Sequence, residues 1–434
     1  MTNDVATWIG TRRSDGIEDG FLCGILGLRK LGSNRKPSPP VSHTRIPVST
    51  PADSHDYTEA LDDFLRIFRG LPDARDPRGL QYDLVFVLAA AAVAVLAGAA
   101  SVRAIADQIG DLPPTLLKAL GARWCWFRQD YRHPSVSTLR DIFARIDVEE
   151  LERRIGHWLA TRAHLDPEGL LVLALDGKVL RGAWLDDHQQ FTLFSAMIHD
   201  VGVTIGQVRV PADTTEVTQV EALIDMIPAL PERTLVTLDA AHTHATTAQA
   251  LKGERRIDFI FTVKSNQPNL LAELITRFKP VVTSRPPEHI IEERGHGRKK
   301  RWSIWTLPAD GLDFPHLQQI ACIQRETHTL TGTYIAKEFA FPITSAERSA
   351  LPAAELNNHV RKHWGIEAKS HWVRDTVWHE DHNQSWKGNT PHVMAALKNL
   401  AASALRLAGF TQIKASTESI ARDRHRAIPI LAIQ

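Results

Sequence analysis

The chain has 434 residues, long enough for two or three domains, and 43% of them are hydrophobic and 23% charged, which excludes a disordered protein. Its formal net charge is +1, so any surface for nucleic acid must come from local charge and not from the overall balance. The three cysteines, Cys23, Cys125 and Cys322, are scattered and form no CxxC pair, which argues against a disulfide framework and against a cysteine zinc site.

The first 55 residues are predicted to be a disordered leader. Residues 33–55 are dense in Pro, Ser and Thr and show no apolar periodicity. The first ten residues lack the basic stretch and the apolar run of a secretory signal. Together with the unpaired cysteines, this predicts a cytoplasmic protein.

Residues 56–165 are predicted to form an all-α domain, because their apolar residues recur at helical spacing. Within them, residues 84–100 carry no charge. This segment is shorter than the roughly 20 apolar residues that cross a bilayer, and about half of it is Ala or Gly. We favour a buried helix on which neighbouring helices pack closely, with no stable membrane association. A membrane-attached protein is the alternative, and it rests on this segment alone.

From residue 166 the chain changes to short β-rich runs separated by turn residues. Three strands in series, then helix, strand, helix and strand, predict a mixed sheet with flanking helices over 166–279. Residues 280–349 interrupt this order with β-ribbons, and helices resume over 350–410. The sequence therefore predicts an α/β domain formed by 166–279 and 350–410, with a β-rich insertion between them and a tail at 411–434.

Two aspartates follow apolar β-runs in the α/β domain. Asp176 follows "LLVLAL" and Asp239 follows "TLVTL", and each is predicted to end its strand. Because the ends of neighbouring parallel strands lie side by side, the two carboxylates would repel each other unless they bind a proton or a cation. Magnesium suits such a site, since it takes few protein carboxylates and leaves positions for phosphate oxygens. Either aspartate alone is more typical of an ordinary turn, and only the pair makes a functional site equally favoured.

The segment "HWGIEAKSHWVRD" predicts a helix with a polar stripe on one face. The stripe consists of His363, Glu367, His371 and Asp375. A zinc site with both histidines fails on geometry, because residues eight apart in a helix lie about 12 Å apart and zinc bonds are about 2 Å long. The remaining interpretation turns Glu367 towards the two aspartates, while the histidines and Arg374 contact phosphate or orient the glutamate. A solvated face of a packed helix is the alternative.

The densest positive patch precedes Trp302. It comprises Arg294, Arg298, Lys299, Lys300 and Arg301. On a β-ribbon this patch could lie along a DNA backbone, and a plain solvated charge run is equally favoured. Lys178, two residues after Asp176, could neutralise phosphate charge, although a surface lysine is the simpler interpretation.

Long stretches of the chain resemble the signature blocks of DDE-type insertion-sequence transposases, and the H-repeat-associated (ISAs-type) group most closely. The blocks are, in order, "LALDGKVLRGA", "LDAAHTHATTAQAL", "FIFTVKSNQP" and "HWGIEAKSHWVRDTVWHEDHNQSWKGNTPHVMAALKNLA". The helical region also resembles that family's N-terminal domain, notably in "PSVSTLRDIF". The resemblance runs from about residue 57 to residue 408.

This resemblance implies an RNase H-like catalytic fold in which Asp176, Asp239 and Glu367 hold two Mg²⁺ ions, with Mn²⁺ as a substitute. It implies a DNA transposase that cleaves the element ends and transfers them to target DNA by two-metal-ion phosphoryl transfer. The partner would be double-stranded DNA, with the protein as an oligomer on DNA in the nucleoid. The residues predicted to contact DNA are Lys178, Arg298, Lys299, Arg301, His363, His371 and Arg374.

Two other functions use part of the same residues. A metal-dependent DNA nuclease without strand transfer would need the same three carboxylates. A domesticated, non-catalytic DNA-binding protein would keep the basic patch and need no metal. An assay of strand joining separates the first from a transposase, and replacement of Asp239 separates the second.

Overall fold

The computed structural model describes residues 57–433, apart from 77–79, 167, 185–189, 228–229, 296, 383 and 385–386. The predicted leader, residues 1–55, lies outside the described residues. The N-terminal part is helical, as predicted, and its helices are α1 (Tyr57–Arg66), α2 (Leu84–Leu96), α3 (Val102–Gly110), α4 (Pro114–Ala119), α5 (Val136–Arg145) and α6 (Val148–Arg162). Between α4 and α5 lies a short hairpin that was not predicted, formed by β1 (Trp124–Cys125) and β2 (Asp130–Tyr131).

Short polar side chains start these helices. Asp83, Ser101, Ser135 and Asp147 each accept a hydrogen bond from a backbone N–H in the first turn of the helix that follows. Such a cap satisfies one of the N–H groups that a helix start leaves free, and stabilises the helix by about 1 kcal/mol.

The uncharged, alanine-rich segment forms α2, and the prediction of a buried helix is confirmed. Every side chain of α2 except that of Val85 is buried. The small alanines let α3 and α12 (Thr390–Leu407) pack closely against it. Among the described residues, no helix combines the length and the apolar character needed to cross a membrane.

The α/β part is built on a mixed sheet of nine strands in the order β5-β4-β3-β6-β7-β11-β10-β9-β8. The strands are β3 (Leu171–Trp184), β4 (Gln190–Ile198), β5 (Thr204–Val210), β6 (Thr234–Leu238), β7 (Asp258–Val263), β8 (His289–Gly295), β9 (Arg298–Pro308), β10 (Gln319–Thr329) and β11 (Tyr334–Thr344). Strands β3, β6 and β7 run parallel, and the other neighbours pair antiparallel. The predicted mixed sheet is confirmed.

Helices complete the α/β part. They are α7 (Val220–Met226), α8 (Ala245–Ala248), α9 (Pro268–Ser284), α10 (Ala353–His363), α11 (Trp372–Val377), α12, α13 (Ile413–Arg422) and α14 (Ile428–Leu431). Successive side chains of a strand point to opposite faces. Accordingly, Leu173 of β3 packs into the core shared with the N-terminal helices, while Val172 packs into a second core with α10. The sheet is therefore covered by helices on both faces.

The register of β3 and β6 brings the two aspartates level. Ala174 pairs with Thr237, and two residues further on Asp176 comes opposite Asp239. However, the prediction that Asp176 ends its strand is wrong. Strand β3 continues to Trp184 because β4 goes on pairing with it after β6 has ended. Asp176 consequently lies in mid-strand, beside the point where β6 stops.

The helical part and the α/β part share one continuous core. Gly156 of α6 lies against the carbonyl oxygen of Ile205 in β5, where any Cβ would collide with the backbone. The indole Nε1 of Trp378 donates to the carbonyl oxygen of Val95 in α2, at 2.9 Å. The domain boundary predicted at residue 165 stays a prediction. The elements before and after it pack their side chains into one shared hydrophobic core.

Two stretches differ from what the sequence indicated. The β-rich stretch does not stand apart from the sheet, because β11 pairs with β7 and β8–β11 lengthen the same sheet. The tail contains α13 and α14, whose Ile420 and Leu431 are buried.

Candidate metal centre

The three predicted carboxylates come from different elements of the α/β part. Asp176 lies in β3, Asp239 directly follows β6, and Glu367 opens a single π-helical turn, Glu367–His371, between α10 and α11. The carboxylate of Asp239 accepts a hydrogen bond from the backbone N–H of Ala241 at 2.9 Å, which holds it at the start of a 3₁₀ turn. Turns of the π type often occur at functional sites, since they shift the direction of one side chain.

This turn brings Glu367 and His371 to Asp176. The Nδ1 atom of His371 lies 3.0 Å from Glu367 Oε2 and 3.6 Å from Asp176 Oδ2. One ligand atom from each of the three residues lies within 4.8 Å of the others, which is compact enough for a single ion. The prediction that Glu367 turns towards the aspartates is therefore supported at Asp176.

His371, predicted to contact DNA, is almost completely buried. Burial lowers the pKa of His371, and its ring is neutral at pH 7. Because a carboxylate only accepts, Nδ1 donates the hydrogen bond to Glu367 and fixes its orientation. Without that proton, Nδ1 would offer a nitrogen ligand.

Negative charge is concentrated around Asp176. Its burial, followed by the negative charges of Glu216, Asp239 and Glu367, raises the pKa of Asp176 to about 8. The hydrogen bond from His371 instead lowers the pKa of Glu367. A site in which one carboxylate is held close to three others is stabilised by a bound cation.

Glu216 is a fourth acidic residue at this site, and sequence reasoning missed it. Glu216 opens a 3₁₀ turn, Glu216–Gln219, directly before α7. Its Oε1 lies where a Cβ at Gly177 would be, and its Oε2 lies 3.5 Å from Nε2 of the buried His242. The available signal was the glycine directly after Asp176, since glycine permits such a close approach, although it does not tell which residue approaches.

His363 lies on the Asp239 side of the site. Its Nδ1 is 2.9 Å from the hydroxyl oxygen of Thr237, the residue two before Asp239. Burial lowers the pKa of His363 to about 4, although the charge of Asp239 acts in the opposite direction. The ring is therefore neutral at pH 7, and it braces the end of β6 instead of offering a positive charge to phosphate.

Two cations predicted to contact DNA, Lys178 and Arg374, are buried in ion pairs. The ammonium of Lys178 is 7% exposed and lies 2.7 Å from Asp375 and 3.5 Å from Asp381. The guanidinium of Arg374 is completely buried, with Nε 2.6 Å from Glu380. Neither side chain can reach a DNA backbone from these positions, because its charge faces carboxylates inside the protein.

The remaining predicted contacts, Arg298, Lys299 and Arg301, lie on β9. Arg298 is exposed, and Lys299 forms an ion pair of 3.0 Å with Glu292. Five strand spacings separate β9 from β3, a distance of roughly 24 Å across the sheet. This patch lies far from the carboxylates, so a role in binding DNA would concern a different part of the duplex.

Comparison with known proteins finds two matching family models and several similar proteins. The family described as "Transposase DDE domain" matches residues 168–404, and the family described as "DDE_Tnp_1-associated" matches residues 65–159. A protein named "Putative transposase YncI" from Escherichia coli O157:H7 is 25% identical over 364 residues, which cover 80% of this chain and 87% of the relative. "H repeat-associated putative transposase YhhI" from Escherichia coli K12 is 24% identical over 357 residues, which cover 77% and 88%.

Among solved structures, the chain is similar to one chain of the piggyBac transposase synaptic complex with hairpin DNA. The TM-score is 0.36 at 11% sequence identity, with 86% of this chain and 78% of that chain covered. No conclusion rests on a likeness of that size.

Proposed function

The chain belongs to the family of transposases with a DDE domain and is a DNA transposase of the H-repeat-associated type, and on this premise we propose that Asp176, Asp239 and Glu367 form its catalytic centre. The family inferred from the sequence blocks is thereby confirmed. The observation that carries the proposal is the convergence of Asp176, Glu367 and His371 within 4.8 Å. Two carboxylates more than 190 residues apart in the chain meet there, beside the end of the strand that carries Asp239.

We further propose that strands β3–β7 with their flanking helices are the RNase H-like fold that the resemblance implies, and that β8–β11 are its insertion. The order β5-β4-β3-β6-β7, with the first three strands antiparallel and the last three parallel, supports this proposal. It places Asp176 on a central strand and Asp239 at the end of another, which are rigid positions of a sheet.

Divalent metal use follows from the family, and the donor set fits it. Carboxylate oxygens suit Mg²⁺ and Mn²⁺, and an imidazole nitrogen is tolerated better by Mn²⁺. We propose two Mg²⁺ ions held by Asp176, Asp239 and Glu367, with Mn²⁺ as a substitute. When bound, such ions would polarise the phosphate and lower the pKa of the attacking hydroxyl, which belongs to water in hydrolysis and to a DNA 3′ end in strand transfer.

The chain's own residues prepare the site for these ions. His371 orients Glu367, the N–H of Ala241 orients Asp239, and mid-strand pairing with β4 fixes Asp176. Lys178 pairs with Asp375 and Asp381, and Arg181 also pairs with Asp381, so these two carboxylates add little repulsion to the centre. Double-stranded DNA, as element ends and as target, is the partner, and we propose that the protein acts on it as an oligomer in the nucleoid.

An assay of cleavage and joining tests this function. The full-length chain is mixed with labelled duplexes that carry the terminal sequences flanking its gene, in Mg²⁺, in Mn²⁺ or in EDTA. We expect cleaved ends and products joined to a target plasmid with either metal, and neither product in EDTA. Cleavage without joining would support a nuclease, and DNA binding without cleavage in any metal would support a non-catalytic protein.

Glu216→Gln is expected to weaken Mn²⁺ binding by about 10- to 100-fold, the usual loss when a supporting group of a metal site is removed. Gly177→Ala is expected to act in the same direction without removing any charge. Its Cβ would occupy the place of the Glu216 carboxylate and push that flexible side chain away. Calorimetric titration of the full chain with Mn²⁺ measures both effects.

The matched control is Glu221→Gln, which removes an exposed carboxylate of α7 that pairs with Arg255. Its Mn²⁺ affinity is expected to equal that of the unmodified chain. If neither Glu216→Gln nor Gly177→Ala changes the affinity, Glu216 takes no part in the site.

A further inference from the structure

The hairpin of β1 and β2 presents large aromatic side chains to solvent. Trp126 and Phe127, in the turn between the strands, are 77% and 100% exposed. Trp124 stacks edge-on against Tyr131 and Trp126, with ring centroids 4.9 Å and 6.3 Å apart. Exposed apolar groups of this size that lie together mark a binding surface more often than an ordinary protein surface.

The hairpin holds these side chains in place. The backbone N–H of Arg132 donates to the carbonyl oxygen of Arg123 at 2.9 Å, and that of Arg128 donates to the carbonyl oxygen of Cys125 at 3.2 Å. The side-chain amide of Gln129 donates to the carbonyl oxygen of Trp126 at 2.6 Å. Cys125 is buried, and the partly buried Tyr131 packs against the core of the helical part. The tip is thus ordered before it meets a partner, which lowers the entropy cost of binding.

Positive charge surrounds the tip. Arg123, Arg128 and Arg132 are exposed, and within the described part of the chain no carboxylate forms an ion pair with them. The nearby carboxylate of Asp130 accepts a hydrogen bond from the backbone N–H of Tyr131. Three guanidinium groups against the single carboxylate of Asp130, with no ion pair among the described residues, are complementary to a polyanion.

Shape points to the same partner. A two-stranded ribbon fits into a groove of duplex DNA, where arginines reach the phosphates on either side. Apolar side chains that enter a groove can wedge between two base pairs, unstack them and kink the duplex. A second protein would also cover Trp126 and Phe127, but it would leave the three arginines to be matched by its own acids.

We propose that the hairpin of residues 123–132 wedges Trp126 and Phe127 between base pairs of the element-end DNA, with Arg123, Arg128 and Arg132 on the flanking phosphates. The partner rests on the proposed function, since a transposase acts on DNA. The contact itself is independent of the metal centre, because the hairpin belongs to the helical N-terminal part.

The test uses full-length protein in EDTA and element-end duplexes in which 2-aminopurine replaces one adenine at a time. The unmodified chain is expected to raise the 2-aminopurine fluorescence at one step, because an unstacked base is less quenched. The variant Trp126→Ser/Phe127→Ser is expected to lose that signal and to bind about 10- to 100-fold more weakly. The variant Trp126→Phe/Phe127→Leu keeps an apolar wedge and is expected to restore the signal.

The arginines are tested by the salt dependence of binding. Replacing all three by Gln is expected to lower the slope of log K against log salt by about 1 for each lost phosphate contact. Arg103→Gln, at an exposed position of α3, serves as the control for a lost surface charge.

Three results would overturn the proposal: no fluorescent step with the unmodified chain, an unchanged signal in the serine variant, or a serine variant that binds DNA normally but changes its oligomeric state in light scattering. The last result would assign the hairpin to a protein interface. Because fluorescence is read in EDTA, a failure of the metal-dependent chemistry leaves this test valid. Likewise, cleavage that persists in the serine variant would separate the hairpin from the catalytic centre.

Discussion

Asp176→Asn is expected to lower the rate of DNA cleavage by about 10³-fold or more, since removing even an outer support of a metal site costs 10- to 100-fold. DNA binding should be unchanged, because Asp176 faces other carboxylates and not a basic surface. The metal-free variant should unfold at the same temperature as the unmodified chain or a higher one. The reason is that an uncharged amide avoids both the cost of burying a carboxylate and the repulsion from its neighbours, which together raise the pKa of Asp176 to about 8.

Cleavage rate, DNA affinity and melting temperature, measured on the same preparations, separate a catalytic role from a structural one. Asp239→Asn and Glu367→Gln should behave like Asp176→Asn, whereas His371→Asn should lose only about 10- to 100-fold, as expected for a residue that orients a ligand. Asp213→Asn, an exposed carboxylate in the loop before Glu216, is the control. Cleavage by Asp176→Asn within tenfold of the unmodified rate would rule out this carboxylate as a metal ligand.

Glu380→Gln is expected to lower the free energy of unfolding by about 3–5 kcal/mol, the range found when one partner of a buried ion pair is removed. The Glu380 carboxylate lies between Arg374 Nε at 2.6 Å and Lys398 Nζ at 3.2 Å, and all three side chains are buried. The amide would leave two buried cations without a counter-ion. Urea unfolding at pH 7 measures the difference.

The effect of Glu380 should depend on pH in a defined window. Burial alone would raise the pKa of Glu380, but Arg374 and Lys398 outweigh it and hold the pKa at about 2. The carboxylate therefore stabilises the fold fully above the unfolded value of 4.5 and loses this effect as the pH falls towards 2. The difference between the unmodified chain and Glu380→Gln should shrink over that window.

An exposed ion pair provides the comparison. The carboxylate of Asp141 lies 2.7 Å from Lys387, and both side chains are more than half exposed. Asp141→Asn should change the free energy of unfolding by less than about 1 kcal/mol, because water screens such a pair. If Glu380→Gln costs no more than Asp141→Asn, the buried cluster does not stabilise the fold.

The sequence carried enough information to find the carboxylates on the sheet. An apolar β-run followed by an aspartate occurs twice, and strands of this kind in an α/β layout lie parallel and adjacent, as β3 and β6 do. Glu367 was found through the resemblance of a long block around it. Its approach to Asp176 depends on the π turn, and no local sequence pattern predicts that turn.

What the sequence could not show depends on partners that are distant in the chain. Glu216 reaches the site only because β5 returns beside β4 and Gly177 leaves room for it. Lys178 and Arg374 look like surface cations, since a lysine or arginine beside other polar residues is usually exposed. Both are buried because they form ion pairs inside the protein. Lys178 pairs with Asp375 and Asp381, and Arg374 pairs with Glu380.

The pairing of β11 with β7 was equally hidden. Four antiparallel strands in a row are as typical of a detached β-module as of an extension of the sheet. Whether the four strands extend the sheet is decided by the pairing of β11 with β7, in which Phe341 lies opposite Val263. This pairing is a tertiary contact. Local propensity contains no information on it.

The burial of α12 has a genetic consequence. All sixteen residues from Thr390 to Leu405 are buried, and the elements that pack against this helix include α2, α6 and β5. A gene copy truncated so as to encode only the α/β part would produce a polypeptide with this apolar helix uncovered, and such a fragment is expected to aggregate. Deletion derivatives of this kind would then be silent alleles, unable to compete with the intact enzyme for its DNA.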